Sequence, residues 1–382
     1  MINRDPAATL PKKEMDPAIR LLLTAREDTG QRALFILAGD GELAAGFAPR
    51  FAEVVCHNAN HTLHTAALAT VERLGLANVR CVLGDLPCTD RDAEAFLPGI
   101  RFPENHFDLI GFRLGRGTAQ LNAVLVEAFR LLAPGGSLIV SGHNQEGIKS
   151  FAKRGEGHFG NLALQGIKSS CRLLRFRKES EAPPEPIEDP RYFFPVSLEL
   201  AYSGGGKLSY LTKPGIFAYR ATDAGTALLA LHLPSCEGKS VLDLGCGSGA
   251  LSLAAFKLGA KEVLAADNSA IATACAERNF SLHGMPGKVL CSDLAEGAPG
   301  EFDLILTNPP FHNDAETDYT LPGRILKTIL HLLKPGGEAY LVANQFLDYS
   351  VQAKLLFREA VVLERTQAYT IHRMVKGQDS VS

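Results

Sequence analysis

The sequence predicts an α/β protein with two parallel-sheet domains in tandem, and three observations support this. Short apolar segments alternate with stretches of helical apolar spacing through both halves, which is the pattern of βαβ units. A proline-rich segment divides the chain into two similar lengths, and the two halves share matching segments. At 382 residues, the chain is long enough for two domains that each bury a core.

The dividing segment is EAPPEPIEDP, residues 181–190, with four prolines and four acidic residues in ten. Proline lacks a backbone donor and restricts the residue before it, so we expect an extended connector. The predicted organisation is therefore a domain over residues 1–180, this linker, and a domain over residues 191–382.

Three segments of the first half match segments of the second, in the same order and at a separation of about 200 residues. FILAGDGELAAGFA matches VLDLGCGSGALSLA, HFDLI matches EFDLI, and LLAPGGSLIV matches LLKPGGEAYL. This order indicates an internal duplication, although short glycine-rich turns can also match by coincidence.

The first half lacks most of the polar residues with which the second half could hold a cofactor. The aligned pairs are Asp243 with Leu37, Gly249 with Leu43, Asp267 with Asn58, and Asn308-Pro309 with Arg113-Leu114. Gly39 and Asp85 remain in the first half, but alone they indicate little. We therefore predict that the first half is a catalytically silent copy.

The composition is that of a soluble globular protein. The hydrophobic fraction is 46%, and no apolar run approaches the length that crosses a bilayer. The N-terminal residues are polar and lack the apolar stretch of a secretory signal, so we expect a cytoplasmic protein. The net charge is only −3, so any affinity for nucleic acid must come from local basic patches.

The cysteines and histidines do not predict a metal site. The eight cysteines are scattered without a C-x-x-C pair, which indicates reduced thiols in a chain of this length. His57, His61 and His64 have helical spacing beside Cys56, but no second cluster of ligands lies near them in the sequence. We expect no bound metal.

A glycine turn follows the first strand of the cofactor-like segment in the second half. The segment VLDLGCGSG, residues 241–249, runs from an apolar strand into alternating glycines. Gly245 and Gly247 permit a tight turn and close approach of a ligand, as they do in nicotinamide and flavin enzymes. Asp243, two residues before the first glycine, suits a cationic ligand such as the amino group of S-adenosylmethionine, and suits a pyrophosphate poorly.

Two further acids follow the next two strands. Asp267 lies 22 residues after Gly245, where doubly wound folds place an acid for ribose hydroxyls. Asn268 is placed to contact the adenine, and Asp293 to accept a hydrogen bond from the adenine amino group. Such acids also cap helices or solvate strand ends, but three in register with a glycine turn favour a cofactor site.

The motif NPPF, residues 308–311, directly follows the strand FDLILT. An exocyclic amine has a delocalised lone pair that must turn toward a sulfonium methyl before it attacks. The side-chain oxygen of Asn308 and the carbonyl of Pro309 can accept the two N–H groups, and Phe311 offers a surface for stacking. The alternative interpretation is a Pro-Pro turn with a core phenylalanine.

These motifs resemble those of amine-directed methyltransferases, and most closely those of the bacterial small-subunit ribosomal RNA guanine-N2 methyltransferase C family. The similarity includes D-x-G-x-G-x-G, the acid after the second strand and N-P-P-F. The segments PGIFAYRATDAGTALL, residues 214–229, and ANQFLDY, residues 343–349, are also similar to segments of that family. The resemblance is strong over about residues 210–350 and weaker before the linker.

The resemblance implies two tandem Rossmann-like class I methyltransferase domains, of which the N-terminal one is degenerate. It implies transfer of a methyl group from S-adenosylmethionine to N2 of a guanine in small-subunit ribosomal RNA. From the sequence itself we expect neither a membrane nor a metal, and the internal duplication favours a monomer. The catalytic residues would be Asn308, Pro309 and Phe311. The cofactor-binding residues would be Asp243, Gly245, Gly247, Asp267, Asn268, Asp293 and Asn308. Phe217 and Asp223 would border the cofactor or the entering base, although Asp223 also fits a helix N-cap.

Residues 149–178 are strongly basic, with Glu156 as their single acid. The basic residues are Lys149, Lys153, Arg154, Lys168, Arg172, Arg175, Arg177 and Lys178. Such a patch can follow RNA phosphates, so we expect the first half to dock the substrate. The alternative is an ordinary solvated helix and an edge strand protected by its charges.

The sequence is also compatible with three other functions. A large-subunit ribosomal RNA guanine-N2 methyltransferase would share the same chemistry. A glutamine-N5 methyltransferase of release factors usually has N-P-P-Y, so Phe311 and the silent N-terminal copy disfavour it. An RNA-binding assembly factor without catalysis would not need Asp243, Asp267 and Asn308.

Overall fold

The structure, a computed structural model, describes most of the chain. The described residues are 15–25, 28–88, 100–115, 117–188, 194–200, 206–309, 320–347 and 349–378. The chain divides into two compact units, Met1–Tyr192 and Phe193–Ser382. Phe311 of the predicted catalytic motif lies outside the described residues.

The first unit is a seven-stranded sheet with helices between its strands. Its strands are β1 Gly30–Phe35, β2 Phe51–Asn58, β3 Val79–Leu83, β4 Phe107–Arg113, β5 Leu132–His143, β6 Ala163–Lys168 and β7 Cys171–Arg177. Its helices are α1 Pro17–Leu22, α2 Glu42–Phe47, α3 His61–Leu74, α4 Thr118–Leu131 and α5 Ile148–Phe159. The strand order is β3-β2-β1-β4-β5-β7-β6, in which β7 is antiparallel to its neighbours.

The second unit begins with a separate hairpin, β8 Phe194–Leu200 and β9 Gly206–Thr212. The strands of its main sheet are β10 Ser240–Leu244, β11 Glu262–Asp267, β12 Lys288–Cys291, β13 Phe302–Thr307, β14 Leu333–Asn344, β15 Glu359–Arg365 and β16 Tyr369–Val375. Its helices are α6 Ala224–Ala230, α7 Ala250–Lys257, α8 Ala270–Leu282, α9 Leu321–Leu332 and α10 Ser350–Leu356.

The main sheets of the two units have the same topology. The second sheet has the order β12-β11-β10-β13-β14-β16-β15, which repeats the first strand for strand. The predicted tandem α/β fold is confirmed, because the duplication seen in short motifs extends to every strand of both sheets.

The central strand β10 is buried along its whole length, as expected for a strand covered on both faces. Val241 packs in an apolar cluster with α7 and α8, and Leu242 packs in a second cluster with α9. Successive side chains point to opposite faces, so the core lies on both sides of the sheet. This packing fixes the carboxyl end of β10, where the glycine turn begins.

The register of the two sheets corrects the predicted alignment at the glycine turn. Phe35 pairs with the neighbouring strands at the position that Asp243 holds in the second unit. Leu37, with φ 52°, adopts the left-handed conformation that Gly245 adopts with φ 76°. The predicted alignment of Leu37 with Asp243 was wrong, because it paired Gly39 with Gly245. The strand register instead places Gly39 at the position of Gly247. The pairing of Leu43 with Gly249 was wrong for the same reason.

The position of Gly249 is held by Gly41 in the first unit. Each of the two glycines caps the helix after the turn, with φ 81° for Gly249 and 91° for Gly41. The left-handed region strongly favours glycine, so this residue type survives in both copies.

Residues 181–188 of the predicted linker contain no helix or strand. The backbone N–H of Glu185 donates to the carbonyl of Gly157 in α5, at 3.1 Å. Ile187 packs against the core of the first unit. This stretch therefore lies along the first unit.

Helices of membrane-crossing length and apolarity are absent from the described part of the chain. All eight cysteines lie within the described residues and are free thiols.

Candidate active site

The glycine turn lies between β10 and α7. Gly245, Gly247 and Gly249 all have positive φ, at 76°, 54° and 81°. A Cβ at Gly249 would lie 3.1 Å from Ala276, so this glycine permits close packing of α7 on α8. Above Gly245 no described atom lies within 4 Å of such a Cβ. The turn therefore presents open space at the end of the strand, which a ligand can occupy.

Asp243 is a buried carboxylate beneath this turn, with an exposed fraction of 1%. Its Oδ2 accepts hydrogen bonds from the backbone N–H of Ser252, at 2.9 Å, and from the Ser252 hydroxyl, at 2.6 Å. Burial raises the pKa of Asp243 to about 6, against the opposing effect of the Ser252 hydrogen bonds. Near pH 7 the side chain is mostly ionised and suited to pair with a cation.

Asp267 connects the glycine turn to the next helix. Its Oδ2 accepts from the backbone N–H of Gly247, at 2.9 Å, and its Oδ1 accepts from that of Ser269, at 2.8 Å. Burial raises its pKa, and the backbone donors, including the N–H of Asn268, oppose this. A carboxylate has about four acceptor sites, so Asp267 retains capacity for hydroxyl donors.

Asp293 follows β12 and begins a short 3-10 helix. Its carboxylate forms an ion pair with Arg324 of α9. Together they line a cavity of about 520 Å³ whose lining residues come from this segment and α9, and do not include the glycine turn. The predicted adenine acceptor is therefore paired with a cation in this structure. An exposed ion pair of this kind contributes about 0–1 kcal/mol, so a ligand can compete for the carboxylate.

Asn308 lies one residue beyond β13, beside the glycine turn. Thr307 pairs with Leu244 at the ends of the two parallel strands, and its hydroxyl donates to the Leu244 carbonyl at 2.7 Å. The carboxyl ends of β10, β11 and β13 therefore meet at one edge of the sheet. This edge brings together Asp243, Asp267 and Asn308, as the sequence predicted.

The side-chain amide of Asn308 has an unusual set of partners. Its Nδ2 donates to Oδ2 of Asp223 and to the hydroxyl of Thr226, both at 2.8 Å. Both amide hydrogens are thus used. Its Oδ1 is buried, and no donor contacts it within the described residues. Because buried polar atoms are nearly always hydrogen-bonded, this oxygen is ready to accept from a substrate N–H.

Asp223 is both the N-cap of α6 and a partner of Asn308. Its Oδ2 accepts from the backbone N–H of Thr226 at 3.0 Å, which confirms the predicted N-cap. Tyr369 lies near Asp223, and burial together with the charge of this carboxylate raises the pKa of the tyrosine hydroxyl. Phe217, in the preceding loop, is 72% exposed.

Thr226 and Tyr369 were missed by the sequence analysis. Thr226 follows Asp223 by three residues on a helix, a spacing that places both side chains at the helix start. That signal could have pointed to Thr226. Tyr369 is brought near by the pairing of β16 with β14, for which the sequence has no local signal.

The same place in the first unit is filled by other residues. Phe35 is fully buried, its ring lies 4.8 Å from that of Phe47, and a Cβ at Gly111 would lie 2.7 Å from it. Arg113 replaces Asn308 and forms ion pairs with Asp16 and Glu146, at 3.0 and 2.7 Å. An apolar core and an internal ion-pair network therefore take the place of the carboxylate and the amide.

The basic segment of the first unit is less exposed than its sequence suggested. Lys149, Lys153, Lys168 and Arg177 are exposed. The other four of the eight residues are partly or fully buried. Four of the eight predicted phosphate contacts are therefore exposed to solvent.

Two of the buried cations have internal partners. Both terminal nitrogens of Arg175 donate to the carboxylate of Asp28 at 2.6 Å. Lys178 is 6% exposed and donates to Asn105 and to the Leu132 carbonyl. These two side chains bind partners within the first unit, so they are not available to contact RNA phosphates.

His57, one of the three spaced histidines, is fully buried. Its Nε2 lies 3.2 and 3.0 Å from the carbonyls of Gly84 and Asp85, and its Nδ1 accepts from the backbone N–H of Leu37 at 3.3 Å. Burial lowers its pKa to about 4. The ring is therefore neutral and supports the turn after β1.

Comparison with known proteins identifies the family. Residues 207–373 match the family model of the methyltransferase small domain. Ribosomal RNA small subunit methyltransferase C of Pseudomonas entomophila is 32% identical over 280 residues, which covers 73% of this chain and 82% of the relative. The protein of the same name from Shewanella loihica is 33% identical over 247 residues, or 64% of this chain and 70% of the relative.

A solved structure is also similar over both units. It is a Thermus thermophilus 16S ribosomal RNA guanine-N2 methyltransferase in complex with S-adenosylmethionine and guanosine. Its TM-score is 0.77 at 27% identity, and the match covers 96% of this chain and 93% of that chain. Together with the glycine turn, the buried acids and the oriented Asn308, these matches place the chain in the ribosomal RNA small subunit methyltransferase C family of S-adenosylmethionine-dependent methyltransferases.

Proposed function

We propose that this chain transfers the methyl group of S-adenosylmethionine to the exocyclic N2 amine of a guanine in small-subunit ribosomal RNA. The observation that carries the proposal is the amide of Asn308, whose Nδ2 is saturated while its buried Oδ1 has no donor within the described residues. Such an amide presents a hydrogen-bond-accepting oxygen, and no N–H group, to the molecule that receives the methyl group. It matches an amine that presents N–H groups.

The residues around the glycine turn fit S-adenosylmethionine. Asp243 has a buried carboxylate to pair with the amino group, and the space above Gly245 admits a ligand close to the backbone. We assign Asp267 to the ribose hydroxyls, and Asn268 and Asp293 to the adenine. When bound, the cofactor supplies an electrophilic sulfonium methyl group.

The chain acts on the acceptor by orientation. Oδ1 of Asn308 and the carbonyl of Pro309 accept the two N–H groups of N2, which turns its lone pair out of conjugation and toward the methyl carbon. The lone pair forms the new N–C bond while the pair of the S–C bond passes to sulfur. N2 then releases its surplus proton to water, so no strong base is needed. We assign Phe311 to stacking on the guanine ring.

The target guanine must be unpaired or flipped, because stacking in a duplex hides the amine from an enclosed site. We propose that the first unit docks the RNA through Lys149, Lys153, Lys168 and Arg177, which are exposed. A substrate in the small ribosomal subunit agrees with the names of the relatives and implies a cytoplasmic enzyme. We propose that it acts as a monomer, since the duplicated unit supplies a second sheet within one chain.

Methyl transfer from labelled S-adenosylmethionine tests this function directly. The acceptors are unmodified small subunits, large subunits, their free RNAs and a release factor, followed by digestion to nucleosides or amino acids. We expect label as N2-methylguanosine from the small subunit or its RNA. Label only in large-subunit RNA or on glutamine would contradict the proposal.

We also expect one molecule of S-adenosylmethionine per chain. Phe35 occupies the place of Asp243 in the first unit, so that unit lacks the carboxylate that pairs with the cofactor's amino group. Isothermal titration should give a stoichiometry near one, and it should stay near one in Arg113→Ala. A stoichiometry near two would show that the first unit binds the cofactor after all.

Reversing the charge of Lys149, Lys153 and Arg177 to glutamate should weaken RNA binding and flatten its dependence on salt. Each lost phosphate contact lowers the slope of log K against log salt by about 0.7–0.9. The matched control reverses Lys257, Lys261 and Lys288, which are exposed in the second unit, at the end of α7 and the amino ends of two strands. Equal effects of the two triple variants would contradict docking by the first unit.

A further inference from the structure

We infer that Asp223 and Thr226 are positioning residues that hold the Asn308 amide in one orientation, so that the active site accepts a hydrogen-donating amine and rejects a hydrogen-accepting group at the same place. The inference rests on the proposed function and adds residues from a separate helix to it. Asp223 and Thr226 precede Asn308 by 85 and 82 residues in the chain.

The first step is the identity of the amide atom that faces Asp223. An ionised carboxylate has no hydrogen to donate, so the amide atom 2.8 Å from its Oδ2 must be the nitrogen. The second amide hydrogen points to the hydroxyl oxygen of Thr226, also at 2.8 Å. A flipped amide would set its carbonyl oxygen against the carboxylate and leave the nitrogen without these acceptors.

The second step is the rigidity of Asp223 itself. Its Oδ2 accepts from the backbone N–H of Thr226 at 3.0 Å, which is the cap of α6. Tyr369 of β16 lies close enough to Asp223 for the carboxylate to raise the pKa of the tyrosine hydroxyl. The ring of Tyr369 lies against Gly225, where an added Cβ would approach it to 3.0 Å. The carboxylate is thus fixed by the cap of α6, and Tyr369 of β16 packs against the same turn.

The third step concerns selectivity. With its nitrogen saturated, Asn308 presents a lone pair to the acceptor and no hydrogen. Guanine offers two N–H groups on N2, whereas hypoxanthine carries only a C–H at that carbon. A carbonyl placed there would meet the Asn308 oxygen with a like partial charge. Thr226 and Asp223 therefore contribute to the choice of guanine without touching it.

Thr226→Val tests the inference, because valine keeps the shape and removes the hydroxyl acceptor. One amide hydrogen then lacks a partner, and the orientation of the amide is less constrained. We expect kcat to fall about 10- to 100-fold, since small misplacement of a catalytic group has effects up to about that size. The affinity for S-adenosylmethionine and the melting temperature should stay near those of the wild type. Thr226→Ser restores the acceptor and should restore kcat.

Asp223→Asn gives a second test, because asparagine remains a good N-cap and preserves the start of α6. Its side chain can turn either an oxygen or an NH2 group toward Asn308, so it no longer dictates the amide orientation. We expect a loss of kcat on the order of 100-fold. The preference of the S-adenosylhomocysteine-loaded enzyme for guanosine over inosine should shrink in both Asp223→Asn and Thr226→Val.

Wild-type kcat in Thr226→Val would overturn the inference. So would an Asp223→Asn enzyme whose whole loss lies in cofactor affinity or melting temperature, or one with an unchanged preference for guanosine. The wild-type enzyme separates this result from a failure of the proposed function. If wild type makes no N2-methylguanosine, the function itself is wrong, whatever the two variants do.

Discussion

Replacing Asn308 with alanine should lower kcat by about 100- to 1,000-fold while S-adenosylmethionine still binds. Removing one preorganised hydrogen-bonding group from a site of this kind costs about that factor. The amide contacts Asp223 and Thr226 through Nδ2 and leaves Oδ1 for the acceptor, so its loss removes the group that turns the lone pair. Single-turnover methylation of small subunits at saturating cofactor measures the effect on the chemical step.

The matched control for Asn308→Ala is Arg113→Ala, because Arg113 holds the equivalent position in the first unit. That arginine forms ion pairs with Asp16 and Glu146, so its loss should lower the melting temperature of the protein modestly. Its effect on kcat should be small, since we propose that the first unit takes no part in the chemistry. A full rate in Asn308→Ala would mean that the amide does not orient the acceptor.

Replacing Asp243 with asparagine should weaken binding of S-adenosylmethionine on the order of 100-fold. Removing one partner of a buried charge pair leaves the other charge unpaired, which has effects of about this size or larger. Asparagine keeps the oxygen that accepts from Ser252, so the turn after β10 should survive. The control is Asp303→Asn at the opposite end of the sheet, where Asp303 pairs with Lys334. It should leave the cofactor affinity unchanged.

The pH dependence of cofactor binding follows from the same side chain. Burial raises the pKa of Asp243 to about 6, so the carboxylate is ionised above that pH and neutral below it. The amino group of the cofactor stays cationic over this range, so affinity should rise with pH up to about 7 and then level off. Between pH 7 and pH 5 we expect a loss of about tenfold in wild type, as one protonation requires. Asp243→Asn should show no such change.

The stability of the cofactor-free protein should change with pH in the opposite direction. A carboxyl whose pKa is raised in the folded state stabilises the fold below its unfolded pKa, and this contribution is lost as the pH rises through about 6. The rise of the Asp243 pKa from its ordinary value to about 6 corresponds to ~3 kcal/mol of folding free energy. Because the cofactor should bind more tightly at pH 7 than at pH 5, the rise in melting temperature on adding it should be larger at pH 7.

The sequence predicted the features that depend on local pattern. Strand periodicity, the glycine turn and the paired motifs indicated two α/β units, and the identical strand orders confirm this. Asp243, Asp267 and Asn308 were identified because each lies at or next to the carboxyl end of a strand, and parallel strands bring their carboxyl ends together.

The remaining features depend on contacts between distant parts of the chain. Arg175 looked like a phosphate ligand, but Asp28, 147 residues away, holds it in an ion pair. The roles of Thr226 and Tyr369 depend on α6 lying beside both Asn308 and β16, which no local pattern encodes. The alignment error at Leu37 arose because a left-handed residue in the first unit is not glycine.

The most direct test of the account is a crystal structure of this enzyme with S-adenosylhomocysteine and guanosine. We predict that N2 of the guanine lies about 2.9 Å from Oδ1 of Asn308, as an ordinary N–H···O hydrogen bond requires. Nδ2 should keep its contacts with Asp223 and Thr226. A guanine bound with N2 away from this oxygen, or with the Asn308 nitrogen turned toward the base, would contradict the account.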